Sequence, residues 1–113
     1  MLIGGDGTLG FSIVKLKIFK DLDAPPKKKL NLLKRISIKK SLKEGYHLII
    51  NCAAIARMKE CEKNPNKAIN VNVFGTLNLV KEIMSYEAIS KKKVKLVHIS
   101  TDGVYPSTQG NYS

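Results

Sequence analysis

The chain has 113 residues, 43% of them hydrophobic, enough to enclose one core of ordinary domain size. Its formal net charge is +11, but Arg occurs only at Arg35 and Arg57, and no aromatics interleave the lysine runs at 27–29 and 91–93, so the charge reads as a solvated surface and no nucleic-acid partner is expected. No apolar run approaches the roughly 18 residues of a membrane span, the N-terminus has no signal-peptide layout, and Cys52 and Cys61 lack metal or disulfide spacing, so neither membrane nor metal is expected and a reducing cytoplasm is.

Short apolar runs alternate with helical ones, the pattern of βαβ units and a parallel sheet. Residues 1–3 read as a very short strand entering "GGDGTLG". From Thr8 to Lys20, the apolar residues Leu9, Ile13, Leu16 and Phe19 recur at helical spacing. "DAPPKKK" must be a connection, because two prolines forbid a helix interior. "LNLL", residues 30–33, reads as a short second strand, and "SIKKSLKEG" as a helix closed by Gly45. "YHLIINCAA" is the clearest strand, with Leu48, Ile49 and Ile50 a continuous run of the kind covered on both faces. After a polar stretch broken at Pro65, a long amphipathic helix is expected from Asn66 to Tyr86, with Ile69, Val73, Leu77, Val80 and Met84 as its apolar stripe. Lys91–Lys93 end it, cations suited to the negative end of a helix dipole. "VKLVHI" reads as another buried strand; His98 within it is expected in the core, and His47 is expected to be structural.

Three openings follow the three clearest strands. Gly4-Gly5-Asp6-Gly7-Thr8-Leu9-Gly10 fits G-x-x-G-x-x-G between a strand and a helix. Such glycines let the backbone approach a pyrophosphate at a helix N-terminus, while Asp6 would repel it unless turned to solvent; an ordinary glycine turn is the competing reading. Downstream, where a ribose reader would sit, the chain offers Lys27–Lys29, Lys34 and Arg35 and no acid between Asp23 and Glu44, which leans toward NADP over NAD. Asn51-Cys52-Ala53-Ala54 leaves the second clear strand on the edge where open parallel sheets bind ligands, and its small side chains leave room for a flat cofactor. Ser100-Thr101-Asp102 leaves the third on the same edge; its hydroxyls suit a substrate carbonyl, or Asp102 caps the following turn.

On "GGDGTLG", "IINCAAIARMKECEKNPNKAINVNVFGTLNLV" and "KLVHISTDGVYPSTQGNYS", the chain resembles the extended short-chain dehydrogenase/reductases, and within them the dTDP-4-dehydrorhamnose reductases. The resemblance implies an α/β Rossmann-like, doubly wound parallel sheet over residues 1–113, truncated before the C-terminal substrate-binding part. It implies NADPH or NADH as cofactor, a sugar-nucleotide substrate and a possible homodimer for the full-length protein. Residue by residue, Gly4, Gly7, Thr8, Leu9 and Gly10 would line the pyrophosphate. Ala53, Ala54 and Ile55 would follow the cofactor toward the nicotinamide, and Ile99 would lie by its ribose. Thr101 matches the active-site threonine that orients the sugar C4 carbonyl, Asp102 would touch the sugar nucleotide, and Asn72 matches a recurrent structural asparagine.

The chain also departs from that pattern. The first strand is short, Gly103 stands where an aromatic is frequent, and no adenine-side acid is evident around "RISIKK". The family's Tyr-x-x-x-Lys pair is absent: Tyr46, Tyr86 and Tyr105 are followed four positions later by Ile50, Ser90 and Gln109, and Tyr112 lies too near the end. The expectation is an N-terminal fragment, inactive alone, of a reductase of a 4-keto-6-deoxy sugar nucleotide. The alternatives are a sugar-nucleotide epimerase or dehydratase of the same group, and a non-catalytic NADP-binding regulatory subunit.

Overall fold

The computed structural model describes residues 1–101. Asp102, Gly103, Tyr105, Gln109 and Tyr112 lie outside them. The elements run β1 (Leu2–Ile3), α1 (Thr8–Lys15), α2 (Arg35–Leu42), β2 (Leu48–Asn51), α3 (Met58–Lys63), α4 (Pro65–Ile69), a π-helical turn (Asn70–Gly75), α5 (Thr76–Ser90) and β3 (Lys95–His98).

The strands form one parallel sheet in the order β1-β2-β3, as the alternation of apolar and helical runs implies. Leu2 pairs with Ile50, and Ile50 with Val97; Ile3 pairs with Asn51, and Asn51 with His98. Because side chains alternate along a strand, Ile3 and Ile49 share one face, and Leu2, Ile50 and Val97 the other. The first face is closed by Ile38 and Leu42 of α2 and by Leu79 and Ile83 of α5, all buried with Met1, Leu30 and Leu32. Between the same two helices the Arg35 Nε donates to the Glu82 carboxylate at 2.7 Å, so the buried acid of α5 has its partner on α2. On the second face, Gly5 lies between Leu2 and Val14 of α1: a Cβ there would be 3.5 Å from Leu2 Cδ2 and 3.8 Å from Val14 Cγ2.

The second strand expected at residues 30–33 does not form. Asn31 turns the chain instead, its Oδ1 accepting from the Leu33 nitrogen at 2.9 Å and its carbonyl from the Lys34 nitrogen at 2.9 Å. An asparagine offers the backbone local partners that compete with a ladder. Leu30 and Leu32 still reach the core. On its outer edge β1 receives one bond, Leu2 nitrogen to Asp23 carbonyl at 2.7 Å, and Pro25 and Pro26 just beyond have no N–H to extend the pairing.

Three further expectations are corrected. Helix α1 stops at Lys15 rather than Lys20, because Lys17 takes a left-handed φ of 50°, and Leu9, Leu16 and Phe19 are exposed. The chain breaks before Pro65 as expected, but the long helix is divided by the π-turn and runs on to Ser90. Its predicted stripe points outward: Ile69, Val73, Leu77 and Met84 are exposed and Val80 is half-buried. The helix carries two apolar stripes, and the one holding Ala68, Gly75, Leu79 and Ile83 is the one that packs. Among the described residues strand β3 is an edge with one neighbour, so Val97 is exposed, and so is His98, contrary to its expected place in the core. The expected cap does form, with Gly45 at φ +87° after α2 and its nitrogen on the Leu42 carbonyl at 3.0 Å. Among the described residues no helix is long and apolar enough to cross a membrane.

Candidate functional site

All three strands run in one direction, so Gly4, Cys52 and Ile99 leave the sheet on one rim. Gly4 has φ +83°, and a Cβ on it would sit 2.7 Å from the Ala53 nitrogen. Only a residue without a side chain lets the first loop and the β2 exit touch here. The Gly7 nitrogen closes the turn onto the Gly4 carbonyl at 3.1 Å, and a Cβ on Gly10 would overlap that same carbonyl, so α1 begins directly against the loop. No side chain caps α1, whose first turn therefore presents backbone N–H groups at its positive end.

The β2 exit is held by its own hydrogen bonds. Buried Asn51 accepts from the Ala53 nitrogen at 3.1 Å through Oδ1 and pairs through Nδ2 with His98 Nδ1 at 3.2 Å. The Ile99 nitrogen donates to the Asn51 carbonyl at 3.1 Å, which seats the third opening beside the second. Further out, Asn72 grips Ile55 twice, Oδ1 accepting its nitrogen at 2.8 Å and Nδ2 donating to its carbonyl at 3.0 Å; the Cys61 thiol donates to that carbonyl at 3.2 Å.

These segments enclose a cleft of about 310 Å³. Ile3, Gly4 and Gly7 form its base, Cys52–Ile55 one wall, and Pro25, Lys27 and Leu30–Leu33 the other. Lys67, Glu60 and Val71 close its far end. Two cations, Lys27 and Lys67, face it with two carboxylates, Asp6 and Glu60. The Cys52 thiol is pushed up by burial, so it stays protonated and makes a poor nucleophile.

Of the residues singled out from sequence, Gly4, Gly7, Ala53, Ala54 and Ile55 come together on this cleft. Thr8, Leu9 and Gly10 stand one step back, in the first turn of α1. Ile99 and Thr101 lie at the exposed end of β3, on the same rim but outside the cleft lining. Among the candidate cations, Lys29 lies 3.4 Å from Glu44, Arg35 is taken by Glu82, and Lys27 lines the cleft. Sequence reading missed Lys67 and Glu60, which no local pattern marks, and left Asn72 without a contact.

A flat dinucleotide suits this arrangement: a glycine base a Cβ would fill, a helix N-terminus behind it, and small side chains on the β2 exit. Among the described residues no group of three or more His, Cys, Asp or Glu side chains could hold a metal ion.

The fold is shared with known proteins. The family model described as RmlD substrate binding domain matches residues 1–113. The dTDP-4-dehydrorhamnose reductase of Bacillus anthracis, solved in complex with NADP, superposes with a TM-score of 0.78 at 27% identity, over 96% of this chain and 38% of that one. Its counterpart from Clostridium acetobutylicum gives 0.77 at 26% identity, over 97% and 38%. A UDP-glucose 4-epimerase of Rickettsia rickettsii is 38% identical over 71 residues, 59% of this chain and 19% of the epimerase. The chain thus spans about a fifth of the curated relative and under two fifths of the solved reductases.

Proposed function

The chain belongs to the RmlD substrate binding domain family, and we propose on that premise that it is the coenzyme-binding part of a cytoplasmic reductase of a 4-keto-6-deoxy sugar nucleotide, of the dTDP-4-dehydrorhamnose reductase kind. The observation that carries the reading is the contact between Gly4 and the Ala53 backbone at the base of the cleft, on the rim where such sheets take nucleotides. When bound, NADPH or NADH supplies the hydride. The chain's own part is to bind and orient. Gly4 and Gly7 line the pyrophosphate through their bare backbone and the amides of Thr8, Leu9 and Gly10 face it, while Ala53, Ala54 and Ile55 flank the dinucleotide and exclude water from one side. Ile99 lies by the nicotinamide ribose and the Thr101 hydroxyl orients the substrate carbonyl; Asp102, for which the family likeness implies a sugar-nucleotide contact, lies outside the described residues.

Lys27 on the cleft wall, with Lys67 at its end, supports a lean toward NADPH. Lys27→Glu is expected to shift the ratio of NADP⁺ to NAD⁺ affinity about tenfold toward NAD⁺, the worth of one charge-assisted hydrogen bond. Titration of both dinucleotides into the parent and variant measures it. A ratio left unchanged removes Lys27 as the reader.

The chain contains no Tyr-x-x-x-Lys pair. A missing general acid costs roughly 10² to 10⁴ in rate, so the 113-residue chain is expected to bind dinucleotide without useful turnover. Titration calorimetry with NADP⁺ and NAD⁺ tests the reading, and a chain that takes neither refutes it. The epimerase similarity over 71 residues favours a second reading, a sugar-nucleotide epimerase of the same group. Product analysis of the intact protein separates the two: net oxidation of NADPH marks the reductase, and sugar inversion with no net coenzyme consumption marks the epimerase. Pairing of the intact protein with itself is also proposed, supported by the outward apolar stripe of the long helix.

A further inference from the structure

We propose that the stretch Asn72–Asn78 is a clamp that fixes the spacing between the two walls of the cleft, so that coenzyme affinity depends on side chains that never touch the coenzyme. This rests on the dinucleotide reading of the cleft.

Both walls are loops. Residues 52–57 follow β2 with no regular structure, and residues 30–33 form a turn where a strand was expected. Each has a local tie: the Cys52 nitrogen to the Ile3 carbonyl and the Cys61 thiol to the Ile55 carbonyl on one side, and Asn31 to the Ser37 hydroxyl of α2 on the other. A single helical stretch, however, reaches both walls. Asn72 holds the Ile55 wall by both backbone groups, at 2.8 and 3.0 Å. Asn78 holds the opposite wall, its Nδ2 donating to the Leu32 carbonyl at 2.9 Å. Between them Gly75 is buried, and a Cβ on it would lie 3.0 Å from the Leu32 Cβ, so the helix meets that wall at backbone distance.

The π-turn contributes to this geometry. One wide turn, Asn70–Gly75, precedes α5, and the Thr76 hydroxyl donates to the Asn72 carbonyl at 2.9 Å across the junction. An extra residue in a turn changes the direction in which neighbouring side chains leave the helix. Asn72 and Asn78 thereby reach two different loops from one rigid rod. Neither lines the cleft, whereas the Ile55 and Leu32 that they hold both do. They are positioning residues: loss of either lets one wall move relative to the other.

The test uses the 113-residue chain, NADP⁺ as probe, and the variants Asn72→Ala and Asn78→Ala. Each is expected to raise the NADP⁺ Kd about tenfold, the net worth of one hydrogen bond. Amide exchange is expected to quicken at Ile55 in Asn72→Ala and at Leu33 and Lys34 in Asn78→Ala, each variant loosening its own wall. A merely structural asparagine would lower the melting temperature of the unliganded chain and leave the Kd of the folded protein at the parent value; that result overturns the clamp. Should Asn72→Ala not fold, Asn72→Asp keeps the acceptor for the Ile55 nitrogen and loses the donor to its carbonyl, and the same two measurements decide. A parent chain that binds neither NADP⁺ nor NAD⁺ overturns the dinucleotide reading itself, which a parent that binds with unaltered variants does not.

Discussion

Gly4 and Gly45 share a left-handed backbone, at φ +83° and +87°, but differ in their surroundings. Beside Gly4 a Cβ would meet the Ala53 nitrogen at 2.7 Å, and backbone there cannot give way without moving the β2 exit. Around Gly45 nothing lies within 4 Å. Gly45→Ala is therefore expected to cost about 1 kcal/mol, the left-handed strain alone, with NADP⁺ binding unchanged. Gly4→Ala adds a steric clash to the same strain, is expected to cost more than about 2 kcal/mol, and removes binding. Denaturant unfolding paired with NADP⁺ titration checks both, and equal costs at the two glycines would contradict the argument. Another single residue joins distant segments: the Tyr46 hydroxyl, with one proton to give, faces the carboxylates of Asp23 and Glu44. Burial, then these two acceptors, push its ionisation well above the usual tyrosine range. Sequence gave Tyr46 no role beyond opening a strand, because its partners lie on a connection and past a helix end.

Among elements, the joint between α5 and β3 depends on one carboxylate. Lys91 takes a left-handed φ of 59° after α5, and Glu87 reaches past it to accept from the Val94 nitrogen at 2.7 Å, with Lys93 Nζ at 3.3 Å. The Val94 amide is the main cause that holds the Glu87 carboxyl below its ordinary value of 4.5; desolvation opposes it, and Lys93 adds to the lowering. A depressed folded value means that the contribution is complete above the unfolded pKa and is lost as pH falls through the folded one. Glu87→Gln keeps an acceptor for Val94 and removes the titration. The variant is expected to show a shallower fall in stability between about pH 5 and 3 than the parent. Superimposable acid-unfolding curves would show that Glu87 does not secure this joint. The same scale explains the long helix. Its spacing reveals apolar stripes, but which one packs depends on the π-turn and on Gly75, where the absence of a side chain admits Leu32.

Over the whole molecule, the main core lies on one face of the sheet, Leu2 and Ile50 are buried on the other, and apolar surface remains elsewhere. Val73, Phe74, Leu77 and Met84 on the long helix, Phe11 and Leu16 near α1, and Val97 on the edge strand are all exposed. Exposed apolar patches and unpaired parallel edges associate. The chain is expected to form oligomers as its concentration rises, and Met84→Lys with Ile89→Lys, both exposed on α5 beyond the clamp, is expected to shift it toward monomer without weakening NADP⁺ binding. Light scattering across a concentration series checks this. A monomer at every concentration would refute it.

The amino-acid order by itself determined the alternation of strand and helix, the glycine loop, the three polar strand exits and the Gly45 cap. Each is local: a periodicity, a run, or a residue whose backbone freedom is its own property. The family likeness was legible for the same reason, since its motifs are short and contiguous. Only the tertiary structure decided that Asn31 turns a would-be strand, that Lys27 rather than Lys29 or Arg35 lines the cleft, and that Asn72 and Asn78 each hold one wall. Those outcomes depend on partners more than ten positions away, or on a side chain outcompeting a ladder. Helical spacing shows that a stripe is apolar; only packing against the sheet selects the stripe that is buried.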